Sequence, residues 1–289
     1  MRRELVVGID GSDSSLRAVD WAVEEAVRHD VPLRLVYGTL WEYYERVPPG
    51  SGGRSTYQVV TDRMMASAKE RVTRQAPDLP VTTRLVGEDR VSALVGMSQE
   101  AFGVVVGSHG WGAAKGTLLG STSLAVAAHA RCPVIVVRGE DANVHGDFGR
   151  VTMGVADEGE SSSAVDFGFR EAQIRDAQLD AIRAWRRPWR GSPSPSLPDT
   201  GPEQHRAAAG AALDDALAAA VETYPKVPVQ RETPEGPARD ALLDASSETD
   251  LLVVGARRRR GRVGMQLGPV NHAVLHHANC PVAVVPQED

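Results

Sequence analysis

Long apolar runs are absent from this sequence. No stretch approaches the roughly 20 apolar residues that a membrane-spanning helix needs, and no apolar core typical of a signal peptide follows Met1. We therefore expect a cytoplasmic protein without membrane contact. A P-loop of the form GxxxxGKS or GxxxxGKT is also missing, which excludes the P-loop class of nucleotide hydrolases.

The sequence contains two cysteines. Cys132 and Cys280 each stand directly before a Pro-Val pair, and their spacing fits no zinc motif. We interpret both as small buried side chains in a reducing compartment.

The formal net charge of −6 gives the chain no general attraction to nucleic acid. For the segment Arg257–Arg262 a solvated loop is therefore favoured over an anion or partner contact, and nucleic acid is the least favoured interpretation.

The most informative segment is 104–137. The apolar run Val104–Val106 predicts a buried strand, and the glycines Gly107, Gly110 and Gly120 follow it. A helical pattern and a second apolar strand close the segment. Glycines between a strand and a helix let backbone N–H groups approach a phosphate, and the helix N-terminus adds a positive dipole. The segment therefore predicts a cradle for the phosphates of a nucleotide.

Apolar, β-branched segments alternate with helical patterns along the chain. In the first half the order is β-α-β-α-β-α-β-α-β, which predicts a parallel, doubly wound sheet with helices on both faces. Ligands of such sheets bind at the carboxyl ends of the strands, near the point where strand order reverses. Asp10 follows the first strand and Gly107–Gly110 follows the fourth, so we expect these two ends to face each other across one crevice.

The second half of the chain repeats the first. The sequence CPVIVV at Cys132–Val137 returns as CPVAVV at Cys280–Val285, and Val105–Gly107 returns as Val253–Gly255. Such self-similarity indicates a tandem duplication of one domain. We place the first domain at 1–140 and the second at 149–289, joined by a polar linker at 141–148 that has no periodic pattern.

In this repeat and in the spacing of its glycines, the chain resembles the tandem universal stress proteins of actinobacteria over nearly its whole length. The segments that carry the resemblance are Gly8–Ser12, Gly107–Gly110, Gly120–Thr122 and the two closing Cys-Pro-Val strands. The resemblance implies an α/β protein with two tandem Rossmann-like domains of the adenine nucleotide alpha hydrolase-like type. Each domain is then a five-stranded parallel sheet with helices on both faces. It also implies a stress-response protein that binds ATP, with or without Mg²⁺.

The family's binding pattern, carried onto this sequence, gives a set of candidate site residues. Asp10 is expected at the adenosine, with Gly8 and Ile9 beside it, and Gly38 is expected to border the adenine pocket. The remaining candidates are expected to line the nucleoside and hold the phosphates: Val106, Gly107, Gly110, Gly120, Ser121, Thr122 and Ser123. His109 is interpreted as a solvent-facing loop residue rather than a phosphate ligand.

The resemblance also implies pairing through the last strand of each domain. The two halves are then expected to form an internal pseudo-dimer through Val134–Val137 and Val282–Val285. Such pairing would cover apolar strand edges that otherwise invite aggregation. Whether two chains associate further, and which regulatory protein the chain acts on, the sequence leaves open.

The second copy departs from the family pattern at positions that the cradle needs. Ala156 stands for Asp10, Arg258 for Gly110, and Pro269-Val270 for Ser121-Thr122. The arginine puts a large side chain where the backbone must approach a phosphate, Pro269 removes an N–H donor, and Val270 removes a hydroxyl. Each loss costs about 1 kcal/mol of binding or more. We expect the second domain to bind ATP poorly or not at all.

Three functional classes are compatible with the sequence. We favour an ATP-binding sensor or regulator without catalysis, because hydrolysis needs a positioned base and a metal-held phosphate. The first half offers only Asp10, Asp13 and Lys115 for such roles. The alternatives are a slow ATPase or other adenine-nucleotide-handling enzyme that uses Asp10 and Lys115, and a structural dimer module whose cradle has lost its ligand.

Overall fold

The chain divides into two compact units in the computed structural model, which describes residues 3–39, 56–110, 119–156, 162–187, 201–258 and 265–287. The first unit comprises Met1–Arg138 with Val263–Met265, and the second comprises Gly139–Arg262 with Gln266–Asp289. Two segments of the sequence analysis lie partly outside the described residues. They are the loop between Gly110 and Gly120, which contains Lys115, and the arginine-rich segment Arg257–Arg262 beyond residue 258.

The described part of the first unit contains a parallel sheet. Its strands are β1 (Leu5–Gly8), β2 (Leu33–Gly38), β3 (Val81–Val86), β4 (Gly103–Gly107) and β5 (Val134–Val137). They lie in the order β3-β2-β1-β4-β5, and β1 pairs in parallel with both β2 and β4. Strand order therefore reverses between β1 and β4. All residues of β4 and β5 are buried, as expected for a parallel sheet covered on both faces.

Four described helices belong to this unit: α1 (Asp13–Arg28), α2 (Thr56–Gln75), α3 (Arg90–Met97) and α4 (Ser121–His129). Helix α1 begins at Asp13, because the Ser12 side chain accepts a hydrogen bond from the Ser15 N–H and caps the helix. Its face with Val19, Ala22 and Ala26 is buried against the sheet.

The second unit has the same architecture. Its five main strands are β6 (Arg150–Gly154), β7 (Gln178–Ile182), β8 (Val229–Glu232), β9 (Leu251–Arg258) and β11 (Val282–Gln287). They lie in the order β11-β9-β6-β7-β8. A short strand, β10 (Met265–Gln266), lies between β9 and β11 in sequence. The described neighbours in that order pair in parallel. Its helices are α5 (Asp141–His145), α6 (Ser162–Arg175), α7 (Pro202–Thr223), α8 (Ala238–Ala245) and α9 (Pro269–His277), with a 3₁₀ turn at Ser246–Glu248. The predicted α/β class with two tandem domains is confirmed.

The duplication extends to details that no sequence pattern carries. Asp30 and Asp176 each follow the first long helix of their unit, and both have φ of 51°, in the left-handed region. A Cβ on Gly8 would lie 2.8 Å from Leu94 Cδ1, and a Cβ on Gly154 would lie 3.0 Å from Leu242 Cδ1. Each glycine therefore lets the helix of its own unit pack closely on the central strand.

The segment that we predicted as a linker contains the short helix α5. Asn143 on this helix is buried, and its side-chain nitrogen lies 2.8 Å from the Thr249 carbonyl oxygen and 3.2 Å from the Ser246 carbonyl oxygen. These contacts anchor the segment to the second unit. A helix of only five residues is too short for its periodicity to be recognised in the sequence.

Both cysteines are buried thiols outside any disulfide, as the sequence predicts. Burial raises the pKa of the Cys132 thiol to about 12, because the thiolate would lose its hydration. Among the described residues, no helix combines the length and the apolar character that crossing a membrane requires.

Candidate functional site

A cavity of about 490 Å³ lies at the carboxyl ends of β1, β2 and β4 in the first unit. Its wall contains the complete set of candidate site residues, which are Gly8, Ile9, Asp10, Gly38, Val106, Gly107, Gly110, Gly120, Ser121, Thr122 and Ser123. The cavity is thus located where strand order reverses, the usual ligand position in such sheets. The expectation that the ends of the first and fourth strands face each other is confirmed.

Asp10 follows β1 and is held by its own turn. Its Oδ1 accepts hydrogen bonds from the Ser12 N–H at 2.9 Å and from the Ser12 hydroxyl at 2.6 Å. Its Oδ2 lies 2.8 Å from the place that a Cβ on Gly110 would take. The loop after β4 therefore approaches the carboxylate so closely that a side chain at position 110 would collide with it. This turn fixes the carboxylate in one orientation in the cavity wall.

Two of the candidate glycines are required by the packing of the unit itself. A Cβ on Gly107 would lie 2.6 Å from the Ser14 carbonyl oxygen, in the first turn of α1. A Cβ on Gly38 would lie 2.8 Å from Arg90 Cα, at the start of α3. Separations under 3 Å from backbone atoms leave no room for a side chain, so both glycines are needed whether or not a ligand is bound.

The N-terminus of α4 forms another side of the cavity. Gly120 is its N-cap, has no side chain to cap the helix, and is held by a 2.8 Å hydrogen bond from its N–H to the Ser108 carbonyl oxygen. The first N–H groups of a helix have no partner within the helix, and the helix dipole makes this end positive. Ser121 and Thr122 add hydroxyl groups to the same wall. This side of the cavity can therefore donate hydrogen bonds to an anion.

Ser123 differs from its two neighbours. It is 6% exposed, and its hydroxyl donates a 2.6 Å hydrogen bond to the Gly107 carbonyl oxygen. In the second unit Asn271 takes the same position and donates to the Gly255 carbonyl oxygen at 3.0 Å. A hydroxyl has a single proton to donate, so the Ser123 side chain connects α4 to β4 and has no proton left for a phosphate.

The cavity wall also contains residues that were not among the candidates: Ser15, Val36, Arg90, Leu94 and His109. His109 was interpreted as solvent-facing, but it is half-buried here, and its Nδ1 shares a 2.9 Å hydrogen bond with the Ser108 hydroxyl. Arg90 and Leu94 belong to α3, which reaches the cavity only through tertiary packing. No local sequence pattern could have placed them there.

Comparison with known proteins agrees with this architecture. The model of the Universal stress protein family matches residues 1–138 and 147–286. The chain belongs to the universal stress protein family. A universal stress protein of Mycolicibacterium smegmatis is 32% identical over 290 residues, covering 97% of this chain and 96% of the relative. One of Mycobacterium tuberculosis is 33% identical over 290 residues, covering 98% of this chain and 97% of the relative. The predicted tandem, actinobacterial type is confirmed.

A crystal structure of a universal stress protein from Archaeoglobus fulgidus has the same fold. Its TM-score is 0.69 at 17% sequence identity, and the match covers 99% of this chain and 98% of that chain. At this identity the likeness concerns the fold alone, so the site is argued from the residues of this chain.

In this universal stress protein, the second unit differs from the first at the strand ends that correspond to the cavity. Strand β9 continues to Arg258 and pairs with β11 through Ala256 and Arg257, whereas β4 ends at Gly107. The Arg183 guanidinium bonds to the Ala156 carbonyl oxygen, at the position that corresponds to Asp10. A Cβ on Gly255 would collide with the Gln287 side chain. Arg257 and Arg258, which correspond to the cavity residues His109 and Gly110, are thus part of a strand in the second unit.

Proposed function

We propose that this chain binds ATP in the cavity of its first unit and acts as a nucleotide-dependent sensor or regulator in a stress response. One observation carries the proposal. A cavity of about 490 Å³ joins the oriented carboxylate of Asp10 to an α4 N-terminus that lacks a side-chain cap. Cavities of roughly 300–1,000 Å³ are typical of small-molecule sites.

Charge determines the direction in which a nucleotide would lie. Phosphates are attracted to the α4 N-terminus and to the hydroxyls of Ser121 and Thr122. The Asp10 carboxylate repels phosphates but accepts hydrogen bonds from ribose hydroxyls. The base then extends toward the end of β2, past Val36 and Gly38. This orientation agrees with the roles that the family resemblance implies for the same residues.

A magnesium ion is compatible with the oxygen ligands in this wall. Mg²⁺ binds through one or two carboxylates together with substrate phosphates. Asp10 is the single carboxylate among the described lining residues, and the Ser121 and Thr122 hydroxyls are near the proposed phosphate position. The ion would neutralise phosphate charge. We propose ATP binding with or without Mg²⁺. Titrations of ATP in excess EDTA distinguish Mg²⁺-dependent from Mg²⁺-independent binding.

The second unit is proposed not to bind the nucleotide. Pro269, in the first turn of α9, has no N–H to donate, and the Arg183 guanidinium donates a hydrogen bond to the Ala156 carbonyl oxygen, two residues after β6. A partner protein would then respond to whether the first unit holds a nucleotide.

The proposal is tested by titrating ATP into nucleotide-free chain carrying Asp10→Ala. We expect the Kd to rise 10- to 100-fold, because a hydrogen bond to a charged group contributes about 1.5–3 kcal/mol. Asp78→Ala is the matched control, because it removes an exposed carboxylate of the same unit that lies outside the cavity wall. It should change the Kd less than threefold.

Two results would contradict this account. Unchanged ATP affinity in Asp10→Ala would remove the carboxylate from the site. Steady ATP turnover that disappears in Asp10→Ala would instead support the enzyme alternative. Pairing of the two domains through Val134–Val137 and Val282–Val285 stays a prediction, as does the cytoplasmic location, which cell fractionation tests.

A further inference from the structure

Arg90 is the first residue of α3 and lies in the wall of the cavity beside the end of β2. Its backbone position is fixed by two features. A Cβ on Gly38 would lie 2.8 Å from Arg90 Cα and 3.1 Å from Arg90 N, so the start of α3 lies directly on the strand end. Asp89 caps the helix by accepting hydrogen bonds from the Val91 and Ser92 N–H groups at 3.0 and 3.1 Å. The Arg90 side chain therefore starts from a rigid point.

The guanidinium of Arg90 has no partner among the described residues. The side chain is exposed and makes no hydrogen bond, ion pair or ring contact with any residue of the described ranges. The neighbouring Asp89 accepts both cap hydrogen bonds at its Oδ1. Arg90 is thus a permanent cation at the edge of a cavity, with its five donors and its planar face available.

The topology places Arg90 far from the proposed phosphate position. Strand β1 lies between β2 and β4. Neighbouring strands are about 4.8 Å apart, so the ends of β2 and β4 are separated by roughly 10 Å. Arg90 lies on the β2 side, and Gly120 at the start of α4 approaches Ser108 and His109, which follow β4. A cation placed to hold phosphates would be expected on the β4 side.

We propose that Arg90 is a specificity-determining residue that stacks its guanidinium on the base of the bound nucleotide. This inference rests on the proposed function and goes beyond it, because Arg90 is not among the residues that the family pattern supplies. With the phosphates at α4 and the ribose at Asp10, the base is the part of the ligand that reaches the β2 side. The planar guanidinium stacks on aromatic faces, and a lysine ammonium cannot reproduce that geometry.

The test compares two ligands that differ only in the base. ATP and ribose 5-triphosphate are titrated into the stripped chain and into Arg90→Ala, Arg90→Lys and Arg84→Ala. Arg84 is the matched control, because it is an exposed arginine of the same unit on strand β3, outside the cavity wall. Melting temperatures of all variants check the fold.

We expect Arg90→Ala to weaken ATP about 10-fold and to change ribose 5-triphosphate less than twofold. Arg90→Lys should stay within threefold of Arg90→Ala for ATP, and Arg84→Ala should match the wild type. Equal weakening of both ligands would place Arg90 at the phosphates and overturn the proposal. Unchanged ATP affinity, or full recovery by lysine, would overturn it as well. A wild-type chain that binds neither ligand would overturn the proposed function itself, so the two failures are distinguishable.

Discussion

Gly110→Arg is expected to raise the Kd for ATP at least 100-fold. A Cβ at this position starts 2.8 Å from Asp10 Oδ2, so the new side chain enters the cavity beside the carboxylate. The guanidinium then pairs with Asp10 and fills the space between the ends of β1 and β4. The second unit carries Arg258 at the corresponding position. A 100-fold change corresponds to about 2.7 kcal/mol of binding free energy. Isothermal titration of stripped protein measures the change.

Gly96→Arg is the matched control for this substitution. Gly96 lies on α3 in the same unit, is exposed, and has open space where a Cβ would be placed. It adds the same charge without entering the cavity, so the Kd should stay within about threefold of the wild type. Gly110→Arg with wild-type affinity and an unchanged melting temperature would contradict the assignment of the cavity.

Gly139→Ala is expected to be the most destabilising alanine substitution among the described glycines. Gly139 has φ of +93°, and a Cβ there would overlap the Asn279 carbonyl group and lie 2.6 Å from Cys280 N. The left-handed backbone and the collision with main-chain atoms act together. We expect the free energy of unfolding of the second unit to fall by about 3 kcal/mol or more, measured by urea denaturation.

Gly149→Ala separates these two causes. Gly149 also has a positive φ, +64°, but nothing lies within 4 Å of its Cβ position. Only the backbone strain remains, so the expected loss is about 1 kcal/mol. Equal losses in the two variants would show that the contact of Gly139 with Asn279 does not carry the effect.

The apolar pattern predicted the central strands of this fold well, because each is a short run of apolar residues. The predicted strand at Val104–Val106 lies within β4, and the two closing apolar segments form β5 and β11. The glycine pattern located the cavity because glycines at strand ends allow close backbone approach. Helix α5 was missed because five residues give no usable period.

The contacts that complete the site could not be predicted in the same way. The contact of Gly38 with Arg90 joins parts of the chain that only folding brings together, and neither residue's neighbours in sequence indicate it. The hydroxyl of Ser123 was expected at the phosphates, yet it donates to the Gly107 carbonyl oxygen. The motif residues line one cavity, while the direction of each hydrogen bond depends on tertiary geometry.

Nucleotide stoichiometry shows whether the two halves of the chain differ in ATP binding. The purified chain is stripped of any bound nucleotide and titrated with ATP. We expect close to one ATP per chain, with binding lost in Gly110→Arg. Two equal sites per chain would contradict the assignment of the second unit as non-binding. No binding at all would contradict the proposed function of the first.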